Sequence, residues 1–147
     1  MNVPFSLLLL SLSISTLPAA SVWWEAEQSA KTNFTTDHEF SPQNEQETAV
    51  LSGGKWLGAS GDHEERKFAE YTVELDEAGT YTFYVRKFWK HGPFRWRFND
   101  QEWGQVDRSV GLLDSARIRK HLVANWINAG KVDLPAGTNE LRIELLE

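Results

Sequence analysis

Phe88-Trp89-Lys90-His91-Gly92-Pro93 carries a tryptophan, a lysine and a histidine on a segment that Gly-Pro marks as a loop. A tryptophan placed there is not forced into a core: it offers a flat apolar platform, and His91 beside it offers hydrogen bonds. A second polar loop, with Asp62, His63 and Glu64, adds donors and acceptors. These residue types hold a ligand rather than break bonds. The chain has no Gly-x-Ser-x-Gly, no phosphate-cradling glycine loop and no His-Glu-x-x-His. The complete absence of cysteine removes thiol catalysis, redox motifs and cysteine-based zinc sites. His38, His63, His91 and His121 show no short metal-ligand spacing. A carboxylate pair for glycoside hydrolysis is not excluded by sequence, but a domain of this size offers little cleft to hold one. The expectation is a protein that is not an enzyme, any catalysis belonging to a larger parent chain.

Composition narrows the partners. Seven tryptophans in 147 residues, against one methionine, mark heavy use of aromatics. The net charge of −6 and the pI near 5.2 argue against nucleic acid or an anionic membrane surface, both of which demand a basic footprint. A 41% hydrophobic, 24% charged chain of this length is a folded globular domain.

Residues 1–21 read as a secretory signal peptide. Phe5 to Leu17 is apolar apart from serines, too short to span a bilayer as a helix, and is followed by Pro18, Ala19, Ala20 and Ser21. The n-region departs from the usual pattern in having no Lys or Arg. The competing reading is a buried first element, against which Leu7 to Leu10 shows no alternation. The mature domain is then 22–147, secreted or periplasmic, with no downstream membrane span. The sequon Asn33-Phe34-Thr35 is a short match that chance supplies often.

Holding a loop platform in place is the work of strands. Val22 to Glu27 reads as a short first strand, Gln28 to Thr48 as a long polar loop, and Lys55-Trp56-Leu57-Gly58 as a short strand after the Ser52-Gly53-Gly54 turn. Ala69, Tyr71, Val73 and Leu75 alternate with polar residues, and Tyr81, Phe83 and Val85 do so after the turn at Asp76–Gly79; together these read as a hairpin. Phe94, Trp96 and Phe98 share one face and Arg95 and Arg97 the other. Residues 105–125 read as a short helix or an irregular excursion around Leu112, Leu113 and Ala116. Trp126 to Leu134 and Leu141 to Leu145 are strands around the Pro135–Asn139 turn. The predicted fold is all-β, an antiparallel jelly-roll-like β-sandwich with at most one short helix.

These segments, in this order, resemble carbohydrate-binding modules of families 6 and 35, sandwiches of the galactose-binding-like type. Trp24-Glu25-Ala26-Glu27 resembles their opening Glu-Ala-Glu, and Ser52 to Gly58 their Gly-rich strand start. Ala69 to Val73 resembles their next strand, Glu77 to Arg86 their Ala-Gly-x-Tyr hairpin, and Val132 to Ile143 their late hairpin. The resemblance covers nearly all of 22–147. It implies a non-catalytic module that stacks polysaccharide or glycan on loop aromatics. It also implies a structural Ca²⁺, for which Glu25 and Glu27, two apart on a strand, are the candidate ligands; the competing reading of that pair is a solvated surface. Members of these families usually end with one more strand, which also serves the calcium; here the chain stops at Glu147. That strand is supplied elsewhere, or the chain is one part of a longer protein with further domains.

The candidate ligand-binding residues are therefore Trp89, Trp126, Trp56, His91 and Asp62. Trp126 holds the position of the family's late-strand tryptophan, and Trp56 lies near the Gly-rich start. Each competes with plain core packing, which we assign to Trp96 outright. Arg86, Arg95 and Arg97 form a basic stripe suited to acidic sugars, or else an outer face paired with its own carboxylates. The rival function is a structural or protein-interaction sandwich without sugar binding, since fold alone does not separate the two.

Overall fold

The computed structural model describes residues 21–59, 65–88 and 92–146; Asp62, Trp89 and His91 lie outside them. Eight strands are defined: β1 (Lys31–Thr32), β2 (Phe68–Leu75), β3 (Gly79–Phe88), β4 (Phe94–Phe98), β5 (Gly104–Val106), β6 (Ala116–Arg119), β7 (Leu122–Leu134) and β8 (Gly137–Leu145). One short helix, α1 (Glu45–Thr48), and a 3₁₀ turn at Ala26–Gln28 complete the elements. The strands form an antiparallel five-stranded sheet in the order β1-β2-β8-β4-β5 and a three-stranded sheet in the order β3-β7-β6. The fold is an all-β sandwich, as the alternation predicts.

The period-two pattern decides the core. In β2, Ala69, Tyr71, Val73 and Leu75 are buried, and in β4 Phe94, Trp96 and Phe98 are buried. Across the gap, β3 sends in Phe83 and β7 sends in Ile127, Ala129, Val132 and Leu134. Phe83 meets the edges of Trp96 and Phe98 at centroid distances of 5.1 and 5.5 Å, which joins the sheets. Each large side chain buried this way contributes about 1.5–3 kcal/mol. Trp96 is core, and its indole N–H donates to the Ala129 carbonyl at 3.1 Å. Its ring lies so close to Gly104 that a Cβ there would stand 2.6 Å from Cε2.

Several expected elements are corrected. Residues 68–75 and 79–88 are not a hairpin: β2 pairs with β8 and β3 with β7, so the turn at 76–78 carries the chain from one sheet to the other. The same holds for β7 and β8. Their turn is fixed by Asn139, fully buried, whose amide donates to the Pro135 and Gly137 carbonyls and accepts from Asn99. Val22 to Glu27 is not a strand; the chain turns through the 3₁₀ segment, so Glu25 and Glu27 are not placed on one face by strand alternation. Lys55 to Gly58 makes a single bridge, Thr35 to Gly58. The region 105–125 holds no helix but two short strands and a tight β6–β7 connection, with His121 at φ 66°. Arg86 is on the three-stranded sheet while Arg95 and Arg97 are on the five-stranded one, so the expected stripe is split between sheets.

Candidate functional site: an aromatic groove along the edge of β3

Among the described residues β3 has one strand partner, β7, and no described strand pairs with its other edge from Thr80 to Lys87. Every residue from Thr80 to Phe88 lines one cavity of about 1210 Å³. Since successive strand residues point to opposite faces, a cavity touching all of them follows the strand's edge and opens on both sides of it. The inner side is apolar, with Trp24 stacked on Phe83 at 6.3 Å and tilted against Tyr71 at 6.4 Å. Burial, with the nearby Glu27 charge adding to it, pushes the Tyr71 hydroxyl well above its ordinary range, and that hydroxyl donates to the Ala26 carbonyl at 2.9 Å. Trp24 and Tyr71 thereby pin the N-terminal segment over the core.

The outer side is where ligand chemistry is possible. Arg86 and Trp126 are direct cross-strand partners on β3 and β7, and the guanidinium lies 5.8 Å from the indole centroid. Trp23 meets Trp126 edge-on at 5.0 Å and is 62% exposed. Asp114 pairs with Arg86 at 3.8 Å, and its carboxylate also accepts the Trp126 backbone N–H. It is brought there because Leu112–Asp114 runs beside β7, with Leu113 N–H donating to the Trp126 carbonyl at 2.9 Å.

The far flank comes from the long loop before β2. His38 stacks on Trp56 at 6.1 Å and 10°, and Phe40 stacks on Phe88 at 5.9 Å. Gly58 allows this: a Cβ there would lie 2.4 Å from His38 Cδ2. Trp56, Phe88, Val50 and Leu51 pack on Ile118, Leu122 and Ala124, a second small core that fixes the flank. α1 is tied to β6 by Glu47, whose carboxylate accepts from Arg119 at 2.8 Å and from the Gln43 N–H at 2.9 Å.

The exposed large hydrophobic residues among those described are Val22, Trp23, Phe40, Tyr84, Leu112 and Leu113. Five of them line this groove, and Leu112 adjoins it in the chain. Of the predicted ligand residues, Trp126 and Trp56 both line it, on opposite flanks, as do Glu25 and Glu27. Trp56 is largely a packing residue of the second core, whereas Trp126 faces the open side. Ala59, Phe88 and Gly92, which border the loops carrying Asp62, Trp89 and His91, are also in its lining. Sequence reasoning missed Trp23 and Tyr84. The signal for Tyr84 was present: it is an aromatic flanked by Thr82 and Arg86 on the strand face opposite Phe83.

For calcium, the two carboxylates differ. Glu25 accepts the Trp23 indole N–H at 3.1 Å, while Glu27 Oε1 is buried without a hydrogen-bond partner, against Gly53. An orphaned buried carboxylate oxygen suits a cation, which takes six to eight oxygens. Among the described residues no group of three acidic, His or Cys side chains assembles, so backbone carbonyls would supply the rest. No helix among the described residues is long and apolar enough to cross a membrane. Compared with family models and with curated proteins, the chain finds no match.

Proposed function

We propose that this chain is a non-catalytic carbohydrate-binding module of an exported protein, and that the β3-edge groove is its sugar site. The observation that carries the reading is the gathering of the exposed large apolar residues around a groove whose open side holds Trp126, Trp23 and Tyr84 beside the Arg86–Asp114 pair. Sugars present apolar C–H faces and a hydroxyl rim. Aromatic rings take the first and the ion pair takes the second, a few polar groups among many apolar ones. Grouped apolar exposure of this kind marks an interaction surface rather than ordinary scatter. A structural calcium belongs to the same reading, with Glu27 as its anchor.

A second reading, a protein-interaction module, draws on a specific observation: the edge of β3 from Thr80 to Lys87, which no described strand covers, lies beside an apolar slot, the setting in which an extended peptide adds a strand. A glycan array separates the two. Wild-type, Trp126→Ala and Trp23→Ala chains are applied with and without Ca²⁺. Glycan binding that falls at least about tenfold in both variants at unchanged Tm is expected. A folded wild-type chain that retains no glycan sinks the carbohydrate reading.

A further inference from the structure

The outer face of the five-stranded sheet carries a different chemistry. Its cross-strand partners form two neighbouring rows, Lys31-Glu70-Arg142-Arg97 and Phe68-Glu144-Arg95-Gln105. Glu144 gathers three guanidiniums: Arg95 at 2.7 Å, Arg142 at 2.7 Å and Arg66 at 3.5 Å. Glu70 pairs with Arg142. Arg97 is left over. Its direct cross-strand neighbour is Arg142, a like charge, and among the described residues no carboxylate lies within ion-pair distance of it. What holds it is Trp103, whose ring lies 4.7 Å from the Arg97 guanidinium and 4.2 Å from that of Arg95. Of the other carboxylates of this face, Glu140 stands opposite Thr72 in the row next to Arg97–Arg142 without an ion pair to either, and Glu74, one row further, accepts from Thr138.

Around Arg97, four guanidiniums thus share two ion-paired carboxylates, Glu70 and Glu144, in a chain whose overall charge is −6. Like charges directly opposite on a sheet are destabilising, and an anion between Arg97 and Arg142 would relieve this. Stacking on indole holds the Arg97 fork with its N–H donors free for a planar or tetrahedral oxyanion. We propose that Arg97, Arg142 and Trp103 form a second ligand site, on the sheet opposite the groove, for the carboxylate or sulfate of an anionic sugar. The saccharide nature of this ligand rests on the carbohydrate reading; the anionic group rests on the charge of the face.

Affinity electrophoresis of the full chain through polygalacturonate, heparin and neutral galactan, with duplex DNA as a further polyanion, tests it. Retardation by polygalacturonate or by heparin is expected, and which of the two separates carboxylate from sulfate recognition. It should weaken at least about tenfold in Arg97→Gln and Trp103→Ala, less in Arg97→Lys, and persist in Trp126→Ala. Arg97→Gln removes a like-charge contact, so its urea midpoint should hold or rise. Acidic-glycan binding untouched by Arg97→Gln and Trp103→Ala overturns the site, as does equal, equally Arg97-dependent retention of DNA. Binding only to neutral galactan, lost in Trp126→Ala, overturns this site and leaves the groove. Arg97-dependent binding to acidic glycan with a silent groove does the reverse.

Discussion

The outer face of the five-stranded sheet is a lattice of paired charges, whereas the outer face of the three-stranded sheet leaves aromatic rings facing an open groove. On the first, Glu144 is buried and bound by several guanidiniums, so its polar side chains mainly satisfy one another. On the second, Trp23 packs edge-on against Trp126, and Tyr84 stands half exposed on β3 in the same groove. The difference teaches where stability and recognition are separated: removing a carboxylate that several guanidiniums share should unfold, whereas removing a groove aromatic, or the unpaired Arg97, should silence binding and leave the fold.

The largest effect should come from Glu144→Ala, which leaves Arg66, Arg95 and Arg142 facing one another. Because those guanidiniums are partly exposed, the expected loss is about 2–3 kcal/mol, below that of a fully buried pair, read from urea denaturation. If Glu144→Ala is as stable as wild type, the lattice is decoration.

Next is the pH profile. Burial alone would raise the Glu144 carboxyl, but hydrogen bonds and charge from Arg142 and Arg95 outweigh it and hold it below the ordinary 4.5. The stability this supplies is fully present above pH 4.5 and is lost as pH falls through the lower folded value. Tyr71 has the opposite sign: its raised hydroxyl contributes below its ordinary 10.0, and that contribution is lost as pH rises beyond it. Urea midpoints against pH should therefore fall at both ends. Glu144→Gln should flatten the acid limb and Tyr71→Phe the alkaline limb. An acid limb unchanged in Glu144→Gln removes the carboxylate from that account.

The smallest effect on stability should be that of Trp126→Ala. It loses contacts with Trp23 and Arg86 on an open surface and is expected to cost about 1 kcal/mol or less, while weakening retention of neutral glycan by at least about tenfold. A loss of 3 kcal/mol would make Trp126 a core residue and erase the contrast.

Alternation made the buried faces of β2, β4 and β8 legible before any coordinates, because burial depends on which side of a strand a residue occupies. It was blind to partners. The turn after Leu75 reads as a hairpin because Asp76–Gly79 is turn-like, yet whether the next strand doubles back or crosses to the other sheet depends on contacts with residues 122–145, far along the chain. Trp126 was legible as an aromatic in a strand. Trp103 was not, since it precedes β5 outside any periodic run and acquires its role only when β4 brings two arginines beneath it. Asn33 shows the converse. Its sequon is intact, but its amide donates to the Arg66 carbonyl at 3.1 Å and accepts the Phe68 N–H at 2.7 Å, so the nitrogen a glycan would need is already engaged.

The place of β8 bears on how the molecule comes into being. It follows every other described strand in the sequence, yet it lies at the middle of the larger sheet, hydrogen-bonded to β2 on one side and β4 on the other. Until the residues up to Leu145 have left the ribosome, β2 and β4 have no common neighbour and their buried faces no floor. Folding of the larger sheet thereby waits for β8 and is dominated by distant pairings, which places it in the slow, millisecond-to-second class. A sheet that closes from its centre keeps its earlier strands threadable until that central strand has emerged.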